Sequence, residues 1–261
     1  AAALQLTSTS NVEANLSAAE EQIDLAVRRG AELVGLPENF AFLGDDQKRL
    51  EISSTLAEKC SRFLVTMARR YQVVLLGGGF PVPAGDGNHT LNRAELIGSD
   101  GQLLGRYDKI HLFDVDLPEG NTYRESATIS SGQETPPVVD VQGLCKVGLS
   151  ICYDVRFPEL YRTLIDKGAE LLMIPAAFTA FTGKDHWQVL LQARAIENTG
   201  YVLAPAQTGL HYGRRQSHGH AMIIDPWGTV LADAGLMPGA AIAPVDKSRV
   251  DRIREQMPSL K

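Results

Sequence analysis

Residues 146–168 read KVGLSICYDVRFPELYRTLIDKG, and residues 170–174, ELLMI, follow almost at once. The first segment opens on a short apolar run, 146–151, of the length and composition of a buried strand. Pro158 suits the first turn of a helix, Leu160, Leu164 and Ile165 fall on its inner face, and Gly168 stands just past its end. Residues 170–174 are strand-like again. Strand, helix and strand in so short a span set the pattern for the chain.

The alternation extends outward on both sides. Residues 2–6 read as a strand, and Asn11 caps a helix whose Val12, Leu16, Ala19, Ile23 and Val27 share a face. A strand at 31–36 ends at Pro37-Glu38, and Leu56, Cys60, Phe63, Met67 and Tyr71 form a second helical stripe. Residues 73–80 form a strand through Gly77-Gly78-Gly79, a tight sheet region rather than a phosphate loop, because no GK[ST] ending follows. Strands at 91–97 and 103–110 flank Gly98-Ser99-Asp100-Gly101, a hairpin signal. Residues 111–137 read as irregular. Downstream come a helix at 184–199, strands at 201–205, 217–224 and 229–232, a turn at Asp225-Pro226-Trp227-Gly228, and a helix at 245–257. This order predicts an α/β fold with mixed sheets. The hairpins argue against a purely parallel doubly wound sheet, and a TIM barrel is the weaker alternative, because eight clean βα repeats are lacking.

Among 261 residues, 25 Lys and Arg against 31 Asp and Glu leave a net charge of −6, with 44% apolar residues. That balance excludes a disordered chain, and the acidic charge argues against a nucleic-acid partner. No apolar run is long enough for a membrane span. The opening AAALQLTSTS lacks the basic region and apolar core of a signal peptide. Three cysteines, Cys60, Cys145 and Cys152, without a CxxC pair, fit free thiols in a reducing, cytoplasmic setting.

Three reactive residues share one kind of position. Glu38 follows the strand ELVGLP, Lys109 ends LLGRYDK, and Cys152 follows KVGLSI. Strand ends gather at a sheet edge, where α/β proteins place their sites. A thiol there serves as nucleophile, a carboxylate takes its proton, and an ammonium stabilises charge on a carbonyl oxygen. Taken singly, each has a plainer reading: a buried small hydrophobe, a loop carboxylate and a solvated strand-end lysine. Cys152 stands out because polar residues follow it on a strand-to-helix turn, the setting of a nucleophile elbow. Cys60 sits on an apolar helix stripe and belongs to the core. His211, His218 and His220 invite a zinc reading, but no Cys or acidic residue at ligand spacing supports it.

LPENF around Glu38, GRYDKIHLFD around Lys109 and GLSICYDVRFPEL around Cys152 together resemble the three motifs of the nitrilase superfamily, in the family's order. The resemblance implies one carbon-nitrogen hydrolase domain over 1–261 and a four-layer α-β-β-α sandwich. It further implies a Glu-Lys-Cys triad without metal or organic cofactor, a homodimer, and hydrolysis of a small non-peptide amide through a thioester. It implies a supporting glutamate, which Glu125 in TYRES matches better than Glu119. On the elbow reading of Cys152, the backbone N–H of Tyr153 is expected to hold the oxyanion. Tyr153 stands where aliphatic nitrilases carry Trp, so an amide suits the site better than a nitrile. FTAFTGKDHWQVLLQARAIENTGYVLAPAQTG (178–209) and HGHAMIIDPWG (218–228) resemble the branch whose amidases act on deaminated glutathione or 2-oxoglutaramate, the former group more closely. Other amides, carbamoyl compounds and a silent binding module remain the alternatives. For the substrate's carboxylate, Arg156 is a candidate, with a salt bridge to Glu159 as its equal alternative. Phe178, Thr179 and His186 fall in a stretch resembling the family's substrate-lining loop; for His186, a cap of the following helix is the plainer alternative, and it ranks below Arg156. Arg194 and Glu197, three apart on a helix, are expected to pair.

Overall fold

Every residue of the first strand, Ala2–Leu6, is buried. A strand with two apolar faces needs cover on both, and the remaining elements supply it. The computed structural model describes residues 1–117 and 122–260. In chain order these form β1 (Ala2–Leu6), α1 (Val12–Arg28), β2 (Leu33–Gly35), α2 (Asp46–Tyr71), β3 (Val74–Pro83), β4 (Thr90–Ile97) and β5 (Leu103–Asp108). The short β6 (Asp114–Asp116) and β7 (Thr122–Arg124) pair with each other. Then come β8 (Val138–Val141), β9 (Cys145–Leu149), α3 (Pro158–Asp166), β10 (Leu171–Met173), α4 (Ala180–Asn198), β11 (Tyr201–Ala204) and β12 (Ala206–Tyr212). The chain closes with β13 (Arg215–His218), β14 (Met222–Ile224), β15 (Val230–Asp233), β16 (Gly239–Ile242) and α5 (Lys247–Gln256).

One mixed sheet runs β13-β12-β1-β2-β3-β4-β5, with β16 also on β1; a second runs β15-β14-β11-β10-β9-β8. Side chains alternate across each strand, and the alternation separates two cores. Ala2, Leu4, Val34 and Leu75 face α1 and α2, packing on Leu16, Ile23, Leu56 and Leu64. Ala3, Leu33, Val74 and Leu76 face the second sheet, and α3 and α4 cover that sheet's far side with Leu160, Leu164, Trp187 and Leu191. The result is the expected α-β-β-α sandwich.

The helix starts follow local chemistry. Asn11 accepts from the Ala14 N–H at 3.1 Å and Asp45 from the Lys48 N–H at 3.0 Å. Such caps contribute about 1 kcal/mol each. Helix α4 begins at Ala180, four residues before the predicted start, because Thr179 caps it and shares a 2.8 Å hydroxyl contact with Thr182. The strand expected over 217–224 is two strands. β13 pairs with β12 in the first sheet and β14 with β11 in the second. The chain crosses between sheets at Gly219-His220, both at positive φ. His218, at the end of β13, and His220, in the crossing, therefore do not share a strand face. Strands β8, β12 and β16 and the β6–β7 hairpin escaped the sequence reading.

His211 is buried where β12 passes β13. Its Nδ1–H donates to the Ser8 carbonyl at 2.8 Å, and its Nε2 accepts from the Ser217 hydroxyl at 2.9 Å. Both ring nitrogens are satisfied in the neutral form, and burial lowers the pKa to about 4. The folded value lies below the unfolded one, so the contribution is complete above pH 6.5 and is lost as pH falls toward 4. Chemical denaturation from pH 7 to 4 is expected to show a decline of up to about 3 kcal/mol from this group. His211→Gln should flatten that part of the profile; an unchanged slope would rule the group out.

Candidate active site

Three strand ends meet at one edge of the sandwich. β2 leads through Leu36-Pro37 to Glu38, β5 ends just before Lys109, and β9 leads to Cys152. All three are buried: Glu38 is 3% exposed, Lys109 1% and Cys152 8%. Glu38 Oε1 accepts from Lys109 Nζ at 3.1 Å and from Asn92 Nδ2 at 2.8 Å. Its Oε2 accepts from the Ala177 N–H at 2.8 Å. Lys109 Nζ donates to both Glu125 oxygens, at 2.9 and 2.8 Å, and Glu125 also accepts from the Phe113 N–H at 2.6 Å. Glu125 opens a 3-10 turn, Glu125–Ala127, after β7. Glu119, the competing glutamate, lies outside the described residues.

Cys152 adopts φ +49°, a conformation that costs a non-glycine residue about 1–2 kcal/mol. Two anchors hold it there. The Cys152 N–H donates to the Pro175 carbonyl at 2.8 Å. Asp154, fully buried, accepts from the Ile151 N–H at 2.9 Å, the Tyr107 hydroxyl at 2.8 Å and His111 Nδ1 at 2.7 Å. The turn is thus an elbow, and it begins the 3-10 segment Cys152–Arg156 that carries Tyr153. Behind Glu38, Gly79 sits at φ +95°, and a Cβ there would lie 2.7 Å from Asn92 Oδ1 and 3.2 Å from Glu38 Cγ. The last glycine of Gly77-Gly78-Gly79 therefore makes room for the carboxylate.

The electrostatics follow from this burial. Burial pushes the Glu38 carboxyl up, but the Lys109 ammonium, the Cys152 thiol and the Ala177 N–H together hold it below its ordinary value. Burial disfavours the Lys109 ammonium, and Glu125 and Glu38 more than reverse this, raising its pKa. Burial and the Glu38 charge push the Cys152 thiol well up. The resting site holds a neutral thiol beside an ionised carboxylate and an ammonium. Such a thiol becomes nucleophilic only as the carboxylate accepts its proton. Cys145 is also pushed up, to about 12, by burial and Glu170, and has no such base.

A cavity of about 360 Å³ opens over these groups. That size suits a small molecule. Phe178 and Thr179 line it, as does Tyr153. Arg156 and His186 are not part of its lining, which departs from the expectation for them. Arg156 instead meets His186 Nδ1 at 3.2 Å and stacks over Tyr153 and Phe178, at 5.7 and 5.2 Å. It forms no salt bridge with Glu159. Arg194 and Glu197 pair at 2.6 Å, as their spacing predicts. His211 is tied into the β12–β13 pair, and the His218 and His220 rings stack at 4.8 Å with His220 on Asp233. Among the described residues no group of three or more His, Cys, Asp or Glu side chains is gathered as a metal site. Sequence reasoning missed Asn92. The signal was there: Asn92 alternates with Thr90, Ala94 and Leu96 on the buried face of β4. It also missed the cavity's outer wall, where Arg49, Arg214 and Arg215 stand.

Residues 1–255 match the sequence profile of the family described as carbon-nitrogen hydrolase. The chain is similar to a deaminated glutathione amidase from Synechocystis sp., 63% identical over 261 residues, all of this chain and 96% of the relative. It is also similar to the crystal structure of the Caenorhabditis elegans NitFhit protein, with a TM-score of 0.92 at 41% identity, over 98% of this chain and 63% of that one. A variant of an amidase from Nesterenkonia sp., with acrylamide added at its active-site cysteine, matches with a TM-score of 0.82 at 27% identity. That match covers 98% of this chain and 96% of the other. No helix among the described residues is long and apolar enough to cross a membrane.

Proposed function

The chain belongs to the carbon-nitrogen hydrolase family, and from that premise we propose that it hydrolyses deaminated glutathione to 2-oxoglutarate and cysteinylglycine, with Glu38, Lys109 and Cys152 as catalytic residues. The observation that carries the substrate is the 63% identity, over the whole chain, to the Synechocystis amidase of that name. As the Cys152 sulfur bonds to the amide carbon, its proton passes to Glu38. Lys109 and the Tyr153 N–H hold the resulting oxyanion. Glu38 then gives its proton to the amine nitrogen as the carbon–nitrogen bond breaks, leaving a thioester on Cys152. Water attacks the thioester, its proton passes to Glu38, and the carbon–sulfur bond breaks as the proton returns to the thiolate. Glu125 holds Lys109 in place and touches no substrate. Phe178 and Thr179 line the acyl part of the cavity. Arg156, which forms no ion pair among the described residues, is the cation for the acyl carboxylate, with His186 positioning it.

The working enzyme is one hydrolase domain over 1–261, a homodimer in the cytoplasm, with no nucleic-acid or membrane partner. The homodimer rests on the family resemblance, and exposed apolar side chains such as Val189 on α4 are compatible with it; a monomer mass by light scattering would refute it. Release of 2-oxoglutarate from deaminated glutathione and from 2-oxoglutaramate, measured side by side, tests the substrate. The expected result is a preference of roughly tenfold or more in kcat/KM for deaminated glutathione. The reverse preference would make 2-oxoglutaramate the substrate, and turnover of neither would overturn this reading.

A further inference from the structure

The cavity carries opposite charge at its two ends. Glu38 and Glu125 outweigh Lys109 at the buried floor. The outer wall is built from α2, the β6–β7 hairpin and the β12–β13 hairpin, and it is rich in arginine. Two of its arginines are already neutralised: Arg49 pairs with Asp46 at 3.1 Å, and Arg124 with Asp116 at 2.7 Å. Arg214 and Arg215, side by side where β12 turns into β13, form no ion pair among the described residues. Arg215 is instead spread over the Tyr123 ring at 5.1 Å, which fixes its plane. Its Nε–H is buried without a partner among the described residues, and so is that of Arg49. Buried guanidinium donors left unmatched are costly, and in a chain of net charge −6 a paired excess of positive charge at a cavity mouth is a specific feature.

The order of the chemistry says which half of a substrate meets this wall. The amine leaves first, and water must reach the thioester along the path it vacates. The acyl half therefore stays at the floor, and the amine half lies outward, toward Arg214 and Arg215. A guanidinium fork that still has donors to spare grips a carboxylate. We infer that Arg214 and Arg215 receive the carboxylate at the far end of the leaving amine, so that the enzyme selects amides of acidic, peptide-like amines over primary amides. This rests on the function proposed above and adds the group that recognises the leaving half. Two residues of extended chain span about 7 Å, so the amine of such a substrate is long enough to carry its carboxylate out from the scissile bond.

The test is steady-state kinetics of Arg214→Gln/Arg215→Gln on three substrates. These are deaminated glutathione, the same compound with its glycine carboxylate amidated, and 2-oxoglutaramate, whose leaving group is ammonia. The double variant should lose roughly tenfold or more in kcat/KM on deaminated glutathione, through KM, and change by less than about twofold on the other two. The wild type should disfavour the amidated compound by a similar factor. Unchanged kinetics of the variant on deaminated glutathione would overturn this inference and leave the proposed function standing. An equal loss on all three substrates would also overturn it, as the mark of a structural role. A wild type that does not cleave deaminated glutathione at all would overturn both.

Discussion

Lys109→Met is expected to destabilise the fold by about 3–5 kcal/mol at neutral pH and to abolish turnover. The reason is the company Lys109 keeps. It is 1% exposed, and its ammonium is the shared partner of Glu38 at 3.1 Å and Glu125 at 2.8 Å. Methionine fills the volume and removes the charge, leaving the Glu38 carboxylate buried without its cation. The effect has a distinctive pH dependence. In the wild type the folded pKa of Glu38 is lowered, so its contribution is present above its unfolded value near 4.5 and is lost as pH falls. Without Lys109, burial dominates and raises that pKa above the unfolded value. The contribution is then complete at low pH and is lost as pH rises. The stability gap between variant and wild type should therefore be widest near neutral pH and narrow toward pH 4. Urea denaturation at several pH values measures it; a gap independent of pH would contradict the shared-cation reading.

Cys152→Ala is expected to lower kcat/KM by about 10⁴-fold or more while shifting stability little. The residue is small and buried, and its unusual φ of +49° is held by the Pro175 carbonyl and by Asp154 rather than by its own sulfur. Alanine meets the same backbone strain, so the elbow should persist. Only the thiol is lost. Equivalent changes at Cys60 and Cys145 should leave kcat/KM within a few-fold of the wild type, because neither thiol faces a base; iodoacetamide should likewise label Cys152 well ahead of both. Substantial amidase activity in Cys152→Ala would remove the thiol from the mechanism.

The contrast between these residues shows what could be read from the chain. Glu38 and Cys152 each follow a short apolar run and Lys109 ends β5, so each strand end was legible in the sequence. Their meeting was not, because Glu38 and Lys109 belong to one mixed sheet and Cys152 to the other, and only the strand directions and the stacking of the two sheets bring them to one edge. Asn92 was harder: it sits within a strand whose neighbours read as ordinary alternation, and its role depends on Glu38, 54 positions away in the chain. The arginine wall was hidden for a different reason. Arg49 comes from a helix and Arg215 from β13, and only the folded sheets bring them together. β12 and β16 escaped notice because AQTGLHY and GAAI hold few large branched side chains. Both owe their extended form to pairing with β1. Arg156 is a different case: its guanidinium stacks on Tyr153 and Phe178, which both line the cavity, so it reaches the site through two lining rings rather than as part of the lining itself.

The central claim is a covalent acyl-enzyme on Cys152. Rapid quenching of the enzyme with excess deaminated glutathione in acid, followed by intact-mass and peptide mass spectrometry, tests it directly. The account predicts a 2-oxoglutaryl adduct confined to the peptide that carries Cys152, absent from Cys152→Ala. Turnover without any adduct on that peptide, or an adduct on Cys60 or Cys145, would contradict it.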